Sequence, residues 1–266
     1  MQTTIYSPGG RAAEYAALAV NHYTNCGFGC IYCYVRNMPG QDFDKPPEPK
    51  SEQWFVEFCK KAKSIGGKTN ARCLLSFTSD PYQPIDRDIK LTRAVLRVLK
   101  ENGLLFQVLT KGGTAACRDF DLYGKNDLFG TTLTFLDDER SKQYELHAAM
   151  PADRIEAIIV AKTKCIFTWV SLEPVISTEA SLQIIEQTHS IVDHYKLGIL
   201  NYYKIGNPDW RDYGIKALDL LHKFGNSYYV KQDLAKYLAG IAVHNTETRW
   251  MQNPAKAESL FERRKL

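Results

Sequence analysis

The sequence predicts an α/β fold, a partial (β/α)6 barrel of TIM type, with an open doubly wound sheet as the alternative. Three observations predict it. Short apolar runs alternate about six times with longer amphipathic stretches along the 266 residues. The runs are near-continuously apolar rather than alternating, as in parallel strands covered on both faces. No internal repeat or low-complexity tract interrupts the alternation, and strand–helix units in series join parallel strands by right-handed crossovers.

Taken in order, the strand-like runs lie at residues 16–23, 72–79, 104–111, 129–135, 165–172, 202–205 and 227–231, rich in Val, Ile, Leu, Thr and aromatics. Between them, Ser51 can cap a helix whose Trp54, Phe55, Phe58, Ala62 and Ile65 share one side. Leu91, Val95, Val98 and Leu99 form a stripe that Asn102-Gly103 ends with a left-handed stop. Pro151 suits the first turn of a helix carrying Ile155, Ile158 and Ile159. Residues 178–193 and 213–224 repeat the helical period. Residues 1–240 are expected to form the barrel and 241–266 a tail or helix. On either architecture, chemistry belongs at the carboxyl ends of the strands.

Composition narrows the class. Hydrophobic residues make up 44% of the chain and charged residues 24%, which excludes a disordered chain. No run of about 18 apolar residues exists to span a bilayer, and no membrane partner is expected. The first ten residues, MQTTIYSPGG, lack the pattern of a secretory signal. Seven cysteines, an odd number, with no export signal point to reduced thiols in the cytoplasm. The net charge of +4 is too mild to argue nucleic-acid binding by itself. Residues 36–50 carry four prolines and a glycine and form a long loop, either a surface connector or a lid over a bound ligand.

Three of the cysteines fall in one octapeptide, Cys26-Gly-Phe-Gly-Cys30-Ile-Tyr-Cys33, directly after the first strand. Gly27 and Gly29 let the backbone fold tightly enough for three thiolates to converge. A four-iron cluster held wholly by protein needs four ligands. Three leave one iron open, which is a catalytic arrangement. A structural zinc site would need a fourth ligand, for which His22 is the neighbour at hand, and buried core cysteines are the other plain alternative.

The C-x3-C-x2-C spacing, with Tyr32 at the aromatic position before the last cysteine, resembles the signature of the radical S-adenosylmethionine (SAM) superfamily. Further stretches resemble its spore photoproduct lyase-like branch: CIYCY at 30–34, FTSDPYQPID at 77–86, LTR at 91–93, LTKGG at 109–113, EPVI at 173–176 and, more weakly, 131–158. The resemblance implies a [4Fe–4S] cluster on Cys26, Cys30 and Cys33 whose open iron is chelated by SAM. Reductive cleavage of SAM then gives a 5′-deoxyadenosyl radical that abstracts hydrogen from substrate, in a reaction of lyase or transferase type. It also implies SAM contacts from Tyr32, Ser79, Asp80, Lys111 and Thr134, with Thr132 as the alternative to the last. Tyr34 matches a tyrosine near the radical site, and Glu173 is a candidate for the SAM ribose or for substrate.

One position departs from the branch. In the photoproduct lyase a cysteine immediately precedes Thr-Ser-Asp and returns hydrogen to the product radical; here that position is Phe77. Cys73 lies four residues earlier on the same strand, roughly 13 Å away at strand rise. Photoproduct repair by that route is therefore not expected. Cys117 and Cys165 read as buried, inert thiols and Cys59 as a core residue, while His147, His189 and His194 read as helical.

In the last third, residues 202–207 read as the sixth strand and its exit turn. This makes Lys204 a candidate catalytic residue facing substrate or nucleotide, with Lys231 in a similar place. The tyrosines of this region offer stacking surfaces for bases, so a nucleic-acid base or nucleotide is the favoured substrate class. The resemblance also implies an external electron donor of flavodoxin or ferredoxin type. The competing reading is a non-catalytic iron–sulfur or zinc protein acting as a partner or electron carrier.

Overall fold

The computed structural model describes residues 4–38 and 45–245. Residues 39–44 of the proline-rich loop and residues 246–266 of the expected C-terminal tail lie outside the described residues. The architecture is one eight-stranded sheet with helices packed on its outer face. Its strands are β1 (Ile5–Tyr6), β2 (Leu18–Val20), β3 (Cys73–Leu75), β4 (Phe106–Thr110), β5 (Leu128–Thr132), β6 (Phe167–Leu172), β7 (His194–Leu197) and β8 (Ser227–Val230), adjacent in that order. Every pair from β2 to β8 is parallel, and β1 runs antiparallel at the edge. The barrel is therefore not closed, in keeping with the partial TIM-type barrel the sequence predicts. It carries seven parallel strands rather than six.

The helices follow the sequence pattern closely. Ser51 Oγ accepts the Trp54 amide at 3.2 Å and starts α1 (Glu52–Ile65), which buries Trp54, Phe58 and Ala62. Helix α2 (Leu91–Glu101) buries Val95 and Leu99 and stops before Gly103, whose φ is +66°. A short helix, α3 (Asp138–Tyr144), begins at Asp137. Pro151 opens α4 (Pro151–Thr163); Ile158 is buried there, while Ile159 faces solvent. Two more helices, α5 (Thr178–Thr188) and α6 (Trp210–Phe224), pack on each other and bury Ile184, Ile185, Leu218 and Leu221 in the core.

One element was misread. Residues 202–205 are not a strand; the strand at that place in the sheet is β7, which follows directly on the expected helix 178–193, itself ending early at Thr188. The helical period of α5 runs into HYKL without a glycine or proline to mark the break. What ends the helix is tertiary: Tyr195 is fully buried, and its phenol meets Thr188 Oγ1 at 2.7 Å. His194 is accordingly on a strand, and His147 lies in the turn after α3 rather than on a helix.

Three apolar groups sit at different depths. The largest lies between sheet and helices and includes Cys73, Phe106, Val108, Val170 and Leu197. A second fills the concave face with Ala16, Leu74, Leu128 and Trp169, packed by Tyr15 and Phe77. Gly130 on β5 is required there, because a Cβ would lie 2.3 Å from Trp169 Cε2. The third gathers under the cysteine loop at the carboxyl edge. No helix among the described residues is long and apolar enough to cross a membrane.

Candidate active site at the carboxyl edge of the sheet

The cysteine loop leaves β2 and turns back through Asn25 (φ +53°) and Gly29 (φ +65°). Asn21 pins its base to the exit of β3, accepting the amides of Phe77 (2.7 Å) and Thr78 (3.3 Å). The Gln83 side-chain carbonyl accepts the Gly27 amide at 2.7 Å. Cys30 is buried and Cys26 and Cys33 are half-buried; none of the seven cysteines is in a disulfide. The three share one apolar shell with Phe28, Tyr32, Phe135 and Ile176.

Burial pushes the Cys26 thiol up to about 12, with Asp80 adding to the effect. Burial likewise raises Cys30, to about 11, although the Lys111 ammonium pulls the other way. Metal-free, these thiols hold their protons at neutral pH, so any metal that binds must displace them. Among the described residues, no three His, Cys, Asp or Glu side chains converge as on a bound ion. His22 does not supply a fourth ligand: its Nε2 meets Thr92 Oγ1 at 2.9 Å and its Nδ1 faces Ser76 Oγ at 3.5 Å.

The exits of β3 and β4 are joined by one carboxylate. Asp80 Oδ1 accepts from Thr110 Oγ1 at 2.5 Å and from the Tyr82 amide at 2.9 Å, and Oδ2 accepts the Lys111 amide at 2.8 Å. Asp80 thus fixes the backbone from which the Lys111 side chain departs. Ser79 Oγ beside it is buried without a hydrogen-bond partner among the described residues. Lys111 Nζ lies 5.5 Å above the Tyr32 ring. Burial alone would lower its pKa, but Cys30 and Glu145 outweigh that and raise it above the ordinary lysine value. Lys111 is therefore cationic inside a largely apolar setting.

Sequence reasoning missed Glu145 and Arg154. Neither sits in a motif that singles it out, yet their side chains are 0% and 1% exposed. Glu145 Oε1 accepts from the Tyr32 phenol and, at 2.9 Å, from Thr134 Oγ1, while Oε2 takes the Arg154 guanidinium. Burial acts to raise the Glu145 pKa; Arg154 and Lys111 together hold it below the usual carboxylate value. Thr134 is 3% exposed, and its hydroxyl is turned to this carboxylate.

A second polar group lies over β6 to β8. Glu173 Oε2 accepts from the Tyr15 phenol (2.8 Å) and pairs with Lys231, and Oε1 accepts from Asn201 Nδ2 (3.0 Å). Gly198 makes room, since a Cβ there would lie 2.9 Å from the Glu173 side chain. Buried Lys196 sits below with its Nζ 4.7 Å from the Tyr15 ring and 5.3 Å from that of Trp169. The Tyr34 phenol spans toward this half and donates to the Phe77 carbonyl at 2.5 Å. The Phe77 ring packs edge-on to Tyr15, with centroids 6.0 Å apart.

Other expected residues fall elsewhere. Cys73 belongs to the helix-facing core and Phe77 to the concave face, so the two side chains occupy opposite sides of the sheet. Lys204 is exposed on the loop after β7 and is not at a strand end, although its neighbours Tyr203 and Ile205 pack over the cysteine shell. Cys165 is exposed at φ +56° and Cys117 is half-buried, so neither is the buried thiol expected. Cys59 is half-buried against the core.

No family model matches the chain. An uncharacterized protein of Methanocaldococcus jannaschii is 28% identical over 190 residues, covering 70% of this chain and 71% of that one. Among solved structures, a cysteine-to-serine mutant of spore photoproduct lyase superposes with a TM-score of 0.69 at 11% identity, over 87% of this chain and 80% of that one. The same lyase with bound S-adenosylmethionine and dinucleoside spore photoproduct gives 0.65 at 12% identity, over 82% and 77%. Streptococcus suis SuiB bound to S-adenosylmethionine gives 0.56 at 13% identity, over 80% of this chain and 45% of that one. The chain thus shares the fold that spore photoproduct lyase adopts.

Proposed function

Starting from that shared fold, we propose that the protein is a radical SAM enzyme. The observation that carries this reading is the juxtaposition at one sheet edge of a three-cysteine loop, the unpartnered Ser79 hydroxyl and the cationic Lys111. The donor set fits a [4Fe–4S] cluster: three unbridged thiols in an apolar shell would hold three irons and leave the fourth for SAM. When bound, such a cluster supplies the electron that cleaves SAM to a 5′-deoxyadenosyl radical; the protein supplies binding, orientation and exclusion of water.

The chain's own residues divide that work. Lys111 offers its ammonium to the SAM carboxylate, and Ser79 offers a hydroxyl that has no partner among the described residues. Asp80, holding three donors, fixes the loop that carries Lys111. Tyr32 and Thr134 close the other wall. Glu173, with Lys231 and Tyr15, forms the polar half of the mouth, where a ribose or substrate can exchange hydrogen bonds. Tyr34, between the two halves, holds the Phe77 backbone through its phenol.

A nucleic-acid base or nucleotide is the substrate class we favour, on Tyr15 at Glu173, Tyr34 at Phe77 and the buried Lys196 and Lys231 beside them. With Phe77 in place of the hydrogen-donating cysteine, the reaction differs from photoproduct repair. The electron comes from a small donor of flavodoxin or ferredoxin type, and the seven unbridged thiols suit a reducing compartment such as the cytoplasm. An electron carrier without turnover would have no use for Lys111 and Ser79.

The test is anaerobic reconstitution with iron and sulfide, reduction, and addition of SAM. Release of 5′-deoxyadenosine is expected; a fully loaded cluster that leaves SAM intact refutes the enzyme reading. Cys30→Ala should lose both the brown colour and the cleavage.

A further inference from the structure

Segment 144–154, which supplies none of the expected ligands, touches three of the elements that do: the cysteine loop and the exits of β4 and β5. Its backbone meets the cysteine loop twice, through Ile31 N–H to Tyr144 O (2.9 Å) and His147 N–H to Phe28 O (3.0 Å). It meets the exit of β4 through Ala149 N–H to Lys111 O (2.9 Å). Arg154 meets the exit of β5 by donating from Nη1 to Thr132 O (3.0 Å), and it braces its own segment from Nε to Ala149 O (2.7 Å). At the centre, Glu145 takes the Tyr32 phenol, the Thr134 hydroxyl and the Arg154 guanidinium on one carboxylate.

A fully buried ion pair is a poor way to gain stability, because two desolvation penalties consume most of the attraction. Apolar residues of like volume would serve a core as well. What an ion pair gives that they do not is fixed direction: a planar guanidinium and a carboxylate lock only in a few geometries. Here the locked carboxylate faces the aromatic residue between two of the three cysteines.

We infer that Glu145 and Arg154 are positioning residues that clamp the cysteine loop, through Tyr32, at a set distance from Lys111 and Thr134. The clamp is complete in the protein without cofactor. Its use, to present the loop and the SAM-binding wall in register, rests on the function proposed above.

Tyr32→Phe tests the clamp because it removes one hydroxyl and leaves the buried pair and the ring under Lys111 in place; Thr134→Val removes the second tie. In the cluster-free protein, amide hydrogen exchange over residues 28–33 should quicken at least tenfold in Tyr32→Phe, with β6 unchanged. After reconstitution the iron content should match the parent. SAM affinity should fall about tenfold, and the change that SAM produces in the spectrum of the reduced cluster should shrink. If loop exchange is unaltered in Tyr32→Phe and in Glu145→Gln, and Glu145→Gln only melts earlier, the pair is core filling and the inference is overturned. If loop exchange responds but the loaded parent protein never binds SAM, the clamp stands and the proposed function falls.

Discussion

Removing one partner of the Glu145–Arg154 pair exposes how much the surrounding hydroxyls and carbonyls can compensate. In Glu145→Gln the guanidinium keeps two carbonyl acceptors, Ala149 O and Thr132 O, but loses its counter-charge at 1% exposure. Breaking such a pair costs about 3–5 kcal/mol. In Arg154→Met the carboxylate keeps three hydroxyl donors, from Tyr32, Thr134 and Ser141, so the loss falls at the lower end, about 3 kcal/mol. The doubly neutral Glu145→Gln/Arg154→Met protein leaves no unpaired charge and should lose less than the sum of the singles by about 2 kcal/mol or more. For a chain of this size each kcal/mol moves Tm by about 2–4 °C, so the single variants should melt about 6–20 °C lower. Urea unfolding followed by circular dichroism, with an unchanged denaturant slope, measures all four corners of the cycle. Single-variant losses below about 1 kcal/mol, or simple additivity, would show that the pair is not coupled in solution as the structure has it.

Other outcomes follow from individual contacts. Burial lowers the His22 pKa to about 3, so the folded state refuses a proton that the unfolded chain accepts near 6.5. Its contribution is present above pH 6.5 and is lost as pH falls toward 3, amounting to about 2 kcal/mol by pH 5. His22→Gln should flatten the acid limb of a urea-stability profile by that amount; an equally steep limb would count against a neutral buried His22. Asp127 works oppositely: burial raises it to about 6, and between pH 6 and 3.8 its retained proton favours folding. Gly130→Ala places a methyl 2.3 Å from the Trp169 indole and should cost about 1–3 kcal/mol with a changed near-UV signal from Trp169; an unaltered spectrum and Tm would contradict the packing. Asp80→Asn removes an acceptor from the Lys111 amide or its neighbours, costs about 1–2 kcal/mol, and should weaken SAM binding more than it lowers iron content; equal losses of both would reassign Asp80 to the loop itself.

Much of the fold was legible because its signals are local. Apolar runs bounded by turn residues, the Ser51 cap, the Gly103 stop and Pro151 each act within a few residues of themselves. Strand β7 was not, because HYKL carries no punctuation and its buried Lys196 reads as a surface residue. The loop that stands in place of the expected sixth strand has the composition of a strand, but its backbone turns through Tyr202 (φ +64°) and Gly206 (φ +55°). Lys204 lies on that loop, exposed, and the strand end expected to carry it does not exist.

For the site, the sequence by itself put three cysteines on one short loop after the first parallel strand, because their spacing is a matter of residue order alone. It also determined the departure at Phe77, which is a matter of residue identity. Tertiary structure alone decided what surrounds them. Asp80 spends its carboxylate on backbone, Glu173 meets Lys231 across 58 residues, and Glu145 reaches Tyr32 across 113. Charged residues in a sequence look solvated by default, because nothing local reveals a partner. Whether Glu145, Arg154, Lys196 and Lys231 face water or frame a site depends on which strand ends the fold brings to one edge.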